Sequence, residues 1–207
     1  MVTRNWRSDA QLEADGPMAK EQPPDTPDAL LARAEDYACF AMRTRGKVPP
    51  TLIAVGPSGS ILFNPSMMAD VRAKDDFANT ARLICVAHGA TAAVLIMEAW
   101  MKVAGADGSL DLTEPPSKAL NRREIVLLSC ETRSGAKQKI LPIIRTDAGN
   151  FFGFGEYDGP ADTSFEGRFT QILPPKILNK ERRAHTWMLL AAIGVTTTDL
   201  RRDSFAN

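Results

Sequence analysis

AAVLIMEAWMKV (residues 92–103), EIVLLSCETR (124–133), QKILPIIRT (138–146) and NFFGFGEY (150–157) are four runs rich in β-branched and aromatic residues, separated by turn-forming sequence. They predict an antiparallel sheet. Side chains alternate across a strand, so in the first run Ala93, Leu95, Met97, Ala99 and Met101 share one face, and Val94, Ile96, Glu98, Trp100 and Lys102 share the other. In the second run Ile125, Leu127, Ser129 and Glu131 alternate away from Val126, Leu128 and Cys130. The alternation predicts one dry sheet face and one mixed face, the latter carrying Glu98, Trp100, Glu131 and Arg145 among aliphatic residues.

Working toward the N-terminus, Thr26, Pro27 and Asp28 have the order of an N-cap, a first helical residue and a first-turn acid. A helix is predicted from there, with Leu30, Leu31, Ala34, Tyr37, Ala38, Ala41 and Met42 inward and Gly46 as its stop. Residues 51–55 and 60–63 flank Gly56-Pro57-Ser58-Gly59 and read as a hairpin. Asp75 or Asp76 is the expected cap of a second helix that buries Phe77, Ala81, Ile84 and Ala87 and ends near Gly89. Beyond the four runs, Asn179 caps a third helix that reaches Ile193, with Ala184, Trp187, Met188 and Ala191 as its core-facing stripe and Gly194 as its stop. The connection 104–121 is long for a link between two strands and is expected to lie over the mixed face.

The order helix, hairpin, helix, three or four further strands, helix is that of an α+β fold rather than of a parallel α/β sheet. In element order residues 26–194 resemble the profilin-like and roadblock-like folds, a likeness of topology that implies nothing about activity.

Composition narrows the class. With 44% hydrophobic and 24% charged residues, the 207-residue chain can bury one good core, so one domain (26–207) is expected after a tail (1–25) too polar and proline-rich to order itself. Lys+Arg and Asp+Glu both number 25, which removes the long-range field of a dedicated nucleic-acid or anionic-membrane binder. Cys39, Cys85 and Cys130 are odd in number, widely spaced and set in apolar sequence, as free thiols are in the reducing cytoplasm. No signal-peptide pattern opens the chain, and no uncharged run is long enough to span a bilayer.

Three motifs invite a specific chemistry, and each lacks a necessary part. Val55-Gly56-Pro57-Ser58-Gly59-Ser60 resembles the opening of a phosphate-binding loop, but Ile61, Leu62 and Phe63 stand where its lysine and helix should follow. Phe152, Phe154 and Tyr157 resemble the aromatic strand of the RNA-recognition motif, yet Asn150 and Phe151 replace its basic residue and glycine. Cys85 and His88 share a helix face, but His185 is the only other histidine and no four-ligand spacing exists, so no metal and no cofactor is expected.

What remains is the mixed face. An aromatic amid aliphatics with charges at the rim is the composition of an interface core, so Glu98, Trp100, Glu131 and Arg145 are the expected partner-binding residues of a non-catalytic interaction module, for another protein or a second copy. The alternative is an enzyme in which Glu98, Glu131 and Arg145 perform acid–base chemistry, for which the two carboxylates must converge. A single-stranded nucleic-acid binder is the second alternative, opposed by the neutral net charge.

Overall fold

Thr26 opens the first helix as a true N-cap: it is extended, and its hydroxyl accepts a hydrogen bond from the Ala29 N–H at 3.3 Å. This helix, α1 (Pro27–Arg45), ends where Gly46 takes a left-handed conformation. The remaining elements of the computed structural model follow as β1 (Thr51–Gly56), β2 (Gly59–Phe63), α2 (Val71–His88), β3 (Ala92–Lys102), β4 (Arg122–Thr132), β5 (Gly135–Arg145), β6 (Phe151–Phe154), α3 (Lys180–Ala192) and β7 (Arg201–Arg202). The structure describes residues 26–65, 68, 70–103, 113–157 and 169–195, with the backbone alone of 201–202. The tail 1–25 and the 104–112 part of the long connection lie outside the described residues.

The strands form one sheet in the order β6-β5-β4-β3-β1-β2-β7, with every neighbouring pair antiparallel. The expected α+β class and its helix-hairpin-helix-strands-helix order are therefore present. Helices cover both faces. On one, α1 lays Leu30, Ala34, Ala38, Ala41 and Met42 against Ile53, Val94, Ile96, Val126, Leu128 and Leu141. On the other, Phe77, Ala81, Ile84 and Cys85 of α2, with Leu190 of α3, pack on Leu52, Ala54, Ala93 and Leu95. This double cover explains why β1 and the first six residues of β3 are buried on both faces. Among the described residues no helix is long and apolar enough to cross a membrane.

Three expectations are corrected. The second helix starts at Asp70 rather than at Asp75 or Asp76; the Asp70 carboxylate accepts the Ala73 N–H at 2.7 Å, while Asp76 lies within the helix, 4.0 Å from Arg72 one turn earlier.

The stripe expected to be buried on α3 is not the buried one. Thr186 and Leu190 are buried and Trp187 is half-buried, whereas Ala184 and Ala191 are exposed and Met188 keeps 70% of its surface. Arg183 sets this rotation by donating to the carbonyls of Ala87 and His88 at 3.2 and 3.1 Å, where the C-terminal end of α2 concentrates negative potential.

Nor does the sheet divide into a dry and a mixed face. Cross-strand partners share a face, and the register pairs Val94 with Cys130, Glu98 with Val126 and Ala93 with Glu131. Glu98 and Trp100 thus lie on the α1 face, and Glu131 lies on the opposite one. Dryness changes along the strand instead: β3 is buried from Ala92 to Met97 and opens to solvent from Glu98 onward, past the end of α1.

Candidate functional site

The end of α1 determines which side chains meet. Gly46 turns the chain back toward the sheet, and the Val48 N–H donates to the Glu98 carboxylate at 2.6 Å. Beyond this contact no helix of the described residues lies above the α1 face of β3, β4 and β5. Trp100 emerges there, 42% exposed, directly across from Glu124. Arg145 holds Glu124 in a two-point ion pair, with N···O distances of 2.7 and 3.0 Å, and its third contact is the Gly149 carbonyl at 3.4 Å. Arg122 folds over Trp100 with its guanidinium carbon 4.5 Å from the ring centroid, and its Nη1 also donates to the Ser117 carbonyl. Lys102 is the cross-strand partner of Arg122, and Lys47 is close enough to Glu98 to act on its ionisation.

Of the expected residues, Glu98, Trp100 and Arg145 therefore come together, joined by Glu124 and Arg122, which sequence reasoning missed. Glu131 does not join them. Its carboxylate accepts the N–H groups of Ile172 and Leu173 at 2.8 and 3.0 Å, pinning the segment before α3 onto the sheet. Arg82 donates to the carbonyls of Thr170 and Gln171, and Arg133 to those of Ala90 and Pro174, along the same strap. A groove of about 640 Å³ opens beside it, lined in part by Ser129, Glu131, Arg133, Gln138 and Pro174. Of its charged groups, Glu131 and Arg133 are engaged in holding the strap, and Lys137 pairs with Asp28 of α1.

The electrostatics separate the carboxylates further. Burial raises the Glu98 pKa above the ordinary glutamate value and Glu124 adds to the rise, while the Val48 N–H, Arg145 and Lys47 oppose it. A Glu98 that holds its proton longer than usual is the one perturbed acid here. Among the described residues the acid that acts on it is Glu124, which is committed to Arg145, and Glu131 is across the sheet.

The remaining motifs resolve into structural roles. The His88 ring nitrogen lies 2.9 Å from the Gly59 carbonyl, closing the hairpin turn on α2, and burial lowers its pKa. Burial also drives the Cys85 thiol well above the ordinary range and pushes Cys130 up to about 12, so neither is a ready nucleophile. No group of three potential metal ligands occurs among the described residues. In β6, Phe151 and Phe154 pack edge-to-face at 5.0 Å against the core under α1, which leaves Phe152 as its only exposed ring. Comparison with family models, curated proteins and solved structures returned no match.

Proposed function

We propose that this protein is a non-catalytic, cytoplasmic interaction module that engages another protein or a second copy through the surface centred on Trp100. One observation carries the reading: a large aromatic, 42% exposed, stands beside a two-point Glu124–Arg145 pair with the Arg122 guanidinium over its ring. Tryptophan and arginine are the side chains that most often dominate binding energy, because they remove much surface from water at low entropic cost. Among the described residues, Arg122 is the side chain that lies over the indole ring at this open end of β3.

A carboxylate–arginine enzyme is the second reading, favoured by the raised proton affinity of Glu98. Against it stand the bidentate commitment of Arg145 and the position of Glu131 on the other face. The two readings separate on Trp100→Ala and Glu98→Gln. For an interaction module, Trp100→Ala weakens association by about 2 kcal/mol or more in light scattering or pull-down, and Glu98→Gln has a smaller effect. The reverse ranking favours the enzyme.

A further inference from the structure

We infer that the free edge of β5 takes an extended segment of a partner protein as an added strand, with apolar side chains of that segment entering the groove beside the strap. This edge is independent of the Trp100 surface and lies at the opposite end of the strands, where Ala92 pairs with Thr132 and Thr132 with Gly135. β6 covers the outer side of β5 only at residues 143–145. Just before them the Pro142 carbonyl faces outward, because it accepts the Gly155 N–H at 2.8 Å. Main-chain groups along an antiparallel strand alternate in direction, so those of Gln138 and Ala136 face outward as well. Among the described residues no hydrogen bond reaches these outward groups, and Gly135, Ala136, Lys137 and Lys139 are exposed.

Sheet edges are ordinarily kept from pairing by brevity, proline, a bulge or a lysine. None of these guards the open stretch. β5 is 11 residues long, and its proline and its bulge, at Pro142 and at Ile144/Arg145, lie at the β6 end. Its lysines are drawn over the α1 face, where Lys137 pairs with Asp28 and Lys139 with Glu35. The groove of about 640 Å³ opens on the other face, to which Ala136 and Gln138 turn their side chains beside Glu131 and Ser129. Lys137 lines it too, although its side chain is held on the α1 face, so the groove reaches the main chain of β5. A strand added about 5 Å outside β5 sets every second side chain next to this groove. Leu173, Pro174 and Pro175 form an apolar part of its wall, which calls for large aliphatic or aromatic side chains at those alternate positions. A second copy pairing through the same stretch would present Ala136 and Gln138 there, too little apolar volume to fill it.

The test is selection from a random displayed-peptide library on the full chain, with counter-selection on an Ala136→Pro protein. Proline at an outward edge position removes the N–H donor and leaves the ladder with β4 intact, and thermal melting checks that the fold is kept. Enriched sequences should carry large apolar residues at alternate positions. Synthetic copies of them, N-methylated at one residue at a time, should lose about tenfold in affinity at every second residue and little in between. Binding should also slow amide exchange at Ala136 and Gln138 of the unsubstituted protein. No enrichment over a folded Ala136→Pro protein, N-methyl losses without the two-residue period, or unchanged exchange at Ala136 and Gln138 would each overturn the inference, and the last two apply even where Ala136→Pro fails to fold. A dimer in sedimentation equilibrium that Ala136→Pro dissociates would assign the edge to a second copy and overturn it likewise.

Discussion

Gly56 illustrates how a single position can resemble a functional motif for a structural reason. A Cβ built there would lie 2.7 Å from the His88 ring and 2.8 Å from the His88 carbonyl oxygen, and the backbone contact leaves no room to yield. The glycine lets α2 close on the hairpin. Gly56→Ala is expected to destabilise the fold by about 1–3 kcal/mol, read as a lowered denaturant midpoint. Glu98 gives a prediction of a different kind. Because burial raises its folded pKa, the folded chain binds this proton more tightly than the unfolded chain, and stability falls as pH rises from the ordinary glutamate value through the raised one. Glu98→Gln removes that loss, so its Tm relative to the unsubstituted protein should climb as pH is raised from about 4 to about 7. His88, lowered by burial, loses its contribution as pH falls through about 6.5, and it does so in both proteins, so the comparison cancels it. A flat difference would show that the Glu98 carboxyl is not desolvated.

Most elements were legible because their signals are local. The Thr26 and Asn179 caps, the Gly46 and Gly89 stops and the alternation within each strand follow from nearest neighbours and backbone sterics. Besides the α2 cap, which is Asp70, two features were not legible. Placing Glu98 and Glu131 on opposite faces requires the β3–β4 register, and a register slip of one residue moves every side chain to the other face. No short turn fixed that register in the sequence; a connection of eighteen residues, 104–121, left it open. The rotation of α3 was hidden similarly, because apolarity alone does not reveal that Arg183 caps α2. The segments carry their own tests. Leu190→Ala, in the core, should cost about 2–5 kcal/mol, whereas Met188→Lys on the outer face should change stability by less than about 0.5 kcal/mol. Glu131→Ala should destabilise by more than about 1 kcal/mol, because it leaves the half-buried N–H groups of Ile172 and Leu173 unpaired. Comparable losses at Met188 and Leu190 would contradict the rotation of α3.

In the molecule as a whole, two helical layers cover the middle of the sheet, and α1 stops short of the end where Trp100 emerges. Folding uses Glu131, Arg82, Arg133 and Arg183 to tie the strap and α3 in place, which removes them from consideration as a site. The Trp100 surface, with Arg122 and the Glu124–Arg145 pair, is a place among the described residues where an aromatic and an ion pair face solvent together. Phe152 and Met188 are also exposed, at 71% and 70%, and make natural controls. The most direct measurement is site-specific photo-crosslinking in cells, with a benzoylphenylalanine placed in turn at positions 100, 152 and 188 of the full chain. A discrete protein adduct from position 100, suppressed by Arg122→Glu, is the predicted result; adducts from 152 or 188 with none from 100 would contradict it.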